Sequence, residues 1–146
     1  MPTAIATAGP ADLPAVIELL RASGLPHRDV TATLLAHYLL AKGDSALVGV
    51  VGLEPLGDAG LLRSLAVVAA HRGRGLGIEL TRALEHHARD LGITRLYLLT
   101  TTAEKFFGKL GYRAIPREDA PPSIQGTTEY RELCSSKSIC MVKTLD

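Results

Sequence analysis

The 146-residue sequence predicts a single α/β domain built on one mixed β-sheet. Three observations predict it. A strongly apolar run, Leu61–Val68, is followed by Leu76, Leu80, Leu84, Ala88 and Leu91 at helical spacing, and then by a second run, Arg95–Thr100. Strand, helix and strand at this spacing form a crossover unit whose two strands run parallel. Upstream, Tyr38–Ala41 and Ala46–Leu53 flank the turn residues Lys42, Gly43 and Asp44, as in an antiparallel hairpin. No repeat and no linker interrupts the chain, so residues 1–146 read as one domain.

The remaining elements follow in order. Thr3–Thr7 reads as a first strand. Asp12 is placed as the N-cap of a helix with Pro14 in its first turn, Leu13, Val16, Ile17 and Leu20 on one face, and Gly24 at its end. Residues 26–35 read as a loop with a short helix, and Pro55–Gly60 as a loop before the central strand. In the long helix, Glu85 and Arg89 form an i,i+4 pair on the wetter side, and Gly92 is the stop. Ala103–Leu110 reads as a short helix stopped by Gly111, Tyr112–Ile115 as a strand, 116–126 as irregular, and Ile139–Thr144 as a last edge strand.

Composition narrows the function classes. Apolar residues make up 47% and charged residues 21%, as in folded globular chains, and the net charge is +1. No broad field is available to recruit nucleic acid or a membrane surface, although a small anion needs only a local cluster. Residues 1–10 lack the basic start and long apolar core of a signal peptide, and no apolar run reaches the ~18 residues that cross a bilayer. Cys134 and Cys140 match no metal or redox spacing and read as reduced thiols of a cytoplasmic protein, with no metal expected.

The segment that carries chemistry is Ala70-His71-Arg72-Gly73-Arg74-Gly75-Leu76-Gly77, between the apolar strand and the amphipathic helix. Glycines let the backbone turn tightly and leave its N–H groups uncovered, and a helix start adds orphan donors and the positive end of the macrodipole. Such a turn suits a pyrophosphate, with Arg72 and Arg74 adding charge at its edge. Two familiar phosphate motifs fail here. The P-loop needs Lys-Ser or Lys-Thr after its last glycine, where Ile78 stands, and the third glycine of a dinucleotide fingerprint would also fall on Ile78.

Arg72, Gly75 and Gly77 fit the pattern Arg/Gln-x-x-Gly-x-Gly/Ala that binds acetyl-CoA in the GNAT superfamily, which this chain resembles. Arg63-Ser64-Leu65-Ala66-Val67 resembles the strand before that turn, and Phe106-Phe107-Gly108-Lys109-Leu110-Gly111-Tyr112 resembles the short helix and strand that follow it. The resemblance implies a centrally splayed sheet of about six to seven strands flanked by about four helices. It implies that Leu65, Ala66 and Val67 pair with the pantetheine arm, that Arg72, Gly73, Arg74, Gly75, Leu76 and Gly77 hold the pyrophosphate, and that Phe106 packs on the cofactor. A backbone N–H near Val67 would polarise the thioester carbonyl, and a homodimer is in keeping with the family.

The implied reaction is attack of a small amine on acetyl-CoA, for which a base must remove the ammonium proton. Glu54, at the end of the neighbouring strand, is the residue proposed for that role, the alternative being a solvated loop-edge glutamate; His37 and His71 are weaker choices, and His86 and His87 read as surface residues. Many relatives protonate the leaving thiolate with a tyrosine where this chain has Phe107, and their asparagine after the long helix is replaced by the run Thr100, Thr101, Thr102. Arg63, inside an apolar strand, reads either as a bidentate clamp on a substrate carboxylate or as an ion pair with Glu54 or another acid, and Thr101 is placed near the substrate. Leu99-Thr100-Thr101, Phe106-Phe107, Gly111-Tyr112, Ser136-Lys137 and Met141-Val142-Lys143 together resemble the acetyltransferase module of N-acetylglutamate synthases. The tail Thr128-Glu129-Tyr130, Leu133-Cys134 and Met141-Val142-Lys143 resembles that of stand-alone GNATs associated with arsenic resistance, some of which acetylate the glutamate-like arsinothricin. The resemblance therefore implies an amino-acid acceptor. Other amines, or a non-catalytic acyl-CoA sensor, are the alternatives.

Overall fold

The computed structural model describes residues 4–44, 46–133 and 137–145; the expectations that fall on Thr3, Cys134 and Ser136 lie outside them. The chain forms one seven-stranded mixed sheet in the order β1-β2-β3-β4-β5-β7-β6. The strands are β1 (Ala4–Thr7), β2 (Tyr38–Lys42), β3 (Leu47–Leu56), β4 (Ala59–Val67), β5 (Arg95–Thr100), β6 (Arg113–Ile115) and β7 (Ile139–Thr144). The helices are α1 (Leu13–Ala22), α2 (Leu76–Asp90), α3 (Glu104–Lys109) and the single turn α4 (Pro122–Gln125). Among the described residues only β4 and β5 pair parallel, as the crossover requires.

Helices cover both faces. The apolar stripe of α2 (Leu76, Leu80, Leu84, Ala88) packs with Val51, Leu53, Leu62, Leu96 and Leu98. On the opposite face Val16, Leu19 and Leu20 of α1 meet Tyr38, Leu40 and Val50. A third cluster joins Ile124 and Tyr130 to Leu61, Tyr97 and Cys140.

Helix ends follow the glycines. Gly24, Gly92 and Gly111 each take a left-handed φ just past a helix. The next residue's N–H then reaches back into the last turn, as in Leu25 N to Leu20 O at 2.9 Å and Ile93 N to Ala88 O at 3.0 Å.

Four local expectations are corrected. Asp12 does stand at the N-cap of α1, but its carboxylate does not cap that helix; it accepts from the Gly9 N–H at 2.8 Å and from Lys42 Nζ at 2.9 Å, fixing the 3₁₀ turn Pro10–Asp12. Residues 55–60 are not a loop, because β3 and β4 run on to a two-residue turn, Gly57-Asp58, with φ of +72° at Gly57. β7 is not an edge strand, because three-residue β6 pairs along its outer side. Glu85 is not on a wet face: it is 1% exposed and paired with Lys143 at 3.1 Å, Tyr112 Oη at 2.9 Å and Arg82 at 3.3 Å.

Two irregularities in β4 create the site. Ser64 and Leu65 together face Val51 of β3, a bulge in which Ser64 takes φ +61°. Such a φ is uncommon for serine, and buried hydrogen bonds hold it: Ser64 Oγ lies 2.7 Å from Tyr38 Oη and accepts from Arg63 Nε at 3.3 Å. Beyond Leu61 the parallel ladder stops, since only Ala59, Gly60 and Leu61 pair with Arg95, Leu96 and Tyr97. The two halves of the sheet then diverge.

Candidate active site

The divergence opens two cavities that meet along Leu65, Ala66 and Val67, with Arg72 and Ala103 also lining both. The first, about 540 Å³, runs past the glycine turn and is lined by Gly73, Gly75, Leu76, Gly77 and Phe106. The second, about 520 Å³, is lined by Arg63, Ser64, Thr100, Thr101, Phe107 and Glu129. Nine of the ten residues expected to hold the cofactor thus border one cavity. Arg74 is exposed and does not.

The turn is built to receive an anion. Gly73 and Gly75 take φ +79° and +81° with open space where a Cβ would stand. Arg72 N donates to Ala69 O and Glu79 N to Gly75 O, but among the described residues no backbone N–H from 73 to 78 has an acceptor. This row of bare amides coincides with the N-terminus of a 15-residue helix. A Cβ on Gly77 would stand 3.3 Å from the Phe106 ring, so the missing side chain keeps the channel wall flat.

The seam itself offers backbone groups. Val68 N donates to Val48 O across β3 at 2.9 Å, so the alternation of a strand turns the Val67 N–H and C=O toward the open side. The Val67 carbonyl there accepts from Arg72 Nε at 2.9 Å, which ties the arginine to the point where the cavities join.

In the second cavity the arginine of β4 is neutralised by the protein. The Arg63 side chain is 0% exposed. Asp29 accepts from its Nη1 and Nη2, Glu54 from Nη1 at 2.7 Å, and Glu129 Oε1 lies 3.3 Å from Nε. Burial opposes the charge, but the Asp29, Glu129 and Glu54 carboxyls outweigh it and hold the guanidinium ionised. The expected substrate clamp is therefore corrected to an ion-pair centre, because the fork is filled from within the chain. Glu54, expected as the base, is committed to Arg63 and does not line the cavity.

Glu129 does line it, 3% exposed, and burial pushes its carboxyl up to about 7, with Arg63 pulling down and Glu54 and Asp29 pushing further up. Sequence reasoning quoted Glu129 only as part of a tail pattern. The buried position of a charged residue at the start of the short π-helical turn Glu129–Leu133 has no local signal.

The other named residues fall into place. Thr101 is exposed at the cavity rim, and Thr100 Oγ1 accepts from Ala103 N at 2.9 Å, fixing the start of α3. Phe107 packs edge-on against Phe106 at 5.0 Å and Tyr112 at 5.6 Å and offers no donor. His37 Nδ1 lies 3.2 Å from His87 Nε2, away from both cavities, and burial and His37 together lower the His87 pKa. His71 borders the first cavity with a buried Nδ1 that has no hydrogen-bond partner among the described residues. Among the described residues no group of three His, Cys, Asp or Glu side chains is arranged to hold a metal ion. No helix among them is long and apolar enough to cross a membrane.

A sheet opened beside a glycine-rich helix start, with an amide-lined channel leading to a second chamber, places the chain among α/β folds that open a ligand cleft in the middle of one sheet. The chain belongs to the acetyltransferase (GNAT) family, whose model matches residues 14–112. It is 30% identical over 122 residues to an amino-acid acetyltransferase of Pseudomonas aeruginosa, covering 78% of this chain and 28% of that protein. It is 29% identical over 106 residues to one from Azotobacter vinelandii, covering 71% and 24%. The chain thus spans about a quarter of the length of these curated relatives. Among solved structures, N-acetylglutamate synthase from Neisseria gonorrhoeae complexed with coenzyme A and N-acetyl-glutamate superposes with a TM-score of 0.87 at 23% identity, over 100% of this chain and 36% of that one. Rv2747 from Mycobacterium tuberculosis in complex with CoA gives 0.82 at 20% identity, over 98% and 99%. At these identities the superpositions speak for the fold.

Proposed function

We propose that this chain transfers the acetyl group of acetyl-CoA to the amine of a small amino-acid-like acceptor. The observation that carries the reading is the row of unbonded amides from 73 to 78 at the mouth of a channel that runs along Leu65–Val67 into a second chamber. The pyrophosphate would take those amides and the Nη groups of Arg72, while the pantetheine arm fills the gap left by the missing β4–β5 pairing. The Val67 N–H on the open side then faces the thioester carbonyl and stabilises negative charge developing on it, an interaction worth roughly 3–4 kcal/mol where measured in other enzymes. Two adjoining chambers can hold cosubstrate and acceptor together, which favours direct attack of the amine in a ternary complex.

The amino-acid acceptor is supported by the relatives' names and by the N-acetyl-glutamate complex of the gonococcal synthase. Glutamate and its arsinic analogue arsinothricin are the acceptors favoured by the resemblance of the tail. The test is a calorimetric titration with acetyl-CoA, followed by thiol-release assays with glutamate, phosphinothricin, arsinothricin and, as contrast, polyamines. Tight acetyl-CoA binding with turnover on the first three supports the reading. Absence of binding heat overturns it, and turnover only on polyamines reassigns the acceptor.

A further inference from the structure

We propose that Glu129 is the general base that deprotonates the acceptor ammonium, and that Arg63, Asp29 and Glu54 position it. The inference rests on the acetyltransferase reading and adds to it the group that moves the proton.

Three carboxyl groups converge on one guanidinium, and they share it unequally. Asp29 takes a bidentate grip and Glu54 a contact of 2.7 Å, so two acids are tightly paired. Glu129 has only Nε, at 3.3 Å, and Nε also points at Ser64 Oγ at 3.3 Å. The third carboxylate is therefore the one least committed to Arg63. It is also the one acid of the three that lines the chamber, beside Ser64 and Leu65 of the bulge. Its segment is fixed: Thr127 Oγ1 donates to Ile124 O at 2.9 Å and accepts from Tyr130 N at 3.2 Å. The charged and titratable groups that face it are Arg63 of β4, Glu54 of β3, Asp29 of the loop after α1 and the Tyr38 phenol of β2. A carboxyl raised to about 7 in this surrounding is half ionised near neutral pH, where a base for an ammonium is most effective.

The step balances as follows. Glu129 takes one proton from the ammonium, directly or through one water, and passes it to solvent. The freed lone pair forms the C–N bond at the thioester carbon, and the C–S bond breaks. The second nitrogen proton neutralises the departing thiolate, leaving an amide, the free thiol and one proton.

The experiment compares wild type with Glu129→Gln and Glu54→Gln, measuring kcat and kcat/KM for the amine from pH 5.5 to 9 alongside acetyl-CoA Kd and thermal unfolding. Glu129→Gln should lower kcat/KM about 100-fold at pH 7.5, leave acetyl-CoA Kd unchanged and abolish the inflection near pH 7. The defect should shrink with an acceptor such as a hydrazine, already neutral at assay pH. Glu54→Gln should retain the inflection and move it to lower pH, since Glu54 pushes the Glu129 carboxyl up. An active, folded Glu129→Gln with the wild-type pH profile overturns the proposal alone, as does an inflection lost in Glu54→Gln instead. A wild type that binds acetyl-CoA yet acetylates no amine overturns the acetyltransferase reading, and the base with it.

Discussion

Replacing Arg63 by Met removes the charge while keeping an apolar stem of similar length. The side chain it replaces is 0% exposed and bonded to Asp29, Glu54 and Ser64, with Glu129 at 3.3 Å. Breaking a buried ion pair by deleting one partner costs about 3–5 kcal/mol, because the remaining charge is left desolvated. Here three carboxyls are left facing one another. For a domain of this size that loss lowers Tm by roughly 10–15 °C. The effect carries a pH signature. Arg63 lowers the Glu129 pKa, so without it the carboxyls take up protons more readily and acid relieves the repulsion. One pKa unit is worth about 1.4 kcal/mol, so the destabilisation should be on the order of 1–2 kcal/mol greater at pH 8 than at pH 5. Urea unfolding followed by circular dichroism at both pH values measures it. A loss below about 1 kcal/mol, or one equal at the two pH values, would refute the picture of a buried, charge-imbalanced cluster.

Further outcomes follow from the same geometry. A Cβ on Gly52 would lie 2.2–2.7 Å from the Tyr38 ring, so Gly52→Ala should destabilise by at least about 1–3 kcal/mol in chemical unfolding and loosen the Tyr38–Ser64 contact. Glu85→Leu strands Lys143 in a largely buried site, where the Leu110 carbonyl is its other partner, and should cost about 3–5 kcal/mol in the same assay without changing acetyl-CoA affinity. Arg72→Ala should raise the acetyl-CoA Kd about 10- to 100-fold by calorimetry, the loss of one charge-assisted contact. The Glu129 carboxyl is raised from 4.5 to about 7 on folding, so the folded state holds a proton that the unfolded chain releases between those values. This contribution therefore favours folding below pH 4.5 and is lost as pH rises to about 7, by up to roughly 3 kcal/mol. In urea titrations across that window Glu129→Gln should show a flatter profile than wild type.

What was legible in the sequence was local. The stripe of α2 from Leu76 to Ala88, the three glycine helix stops and the glycine turn after Val67 each depend on residues within a few positions of one another, and each stands where it was read; Leu91, read as the last residue of that stripe, falls just past the helix and is exposed. What escaped was set by partners far along the chain. Arg63 looks like an open fork until Asp29, 34 positions away, and Glu129 are folded onto it. Glu85 reads as a surface residue because nothing nearby announces Lys143, 58 positions on. The bulge at Ser64 carries no glycine to mark its left-handed φ; the Tyr38 hydroxyl that supports it comes from another strand. β7 reads as an edge because three-residue β6, which flanks it, is too short to assert itself in the sequence.

The sheet's two halves are joined side by side through only the pairs Ala59–Arg95, Gly60–Leu96 and Leu61–Tyr97, so the molecule resembles tweezers gripped at one end. The far ends of the two prongs share no rungs of their own, and under the proposed binding mode an extended amide-bearing arm laid between them would supply the missing ones. Cosubstrate would then be a structural brace as much as a reactant. Its arrival should slow hydrogen exchange at the distal backbone of both prongs together, while departure of the shortened product restores their independence.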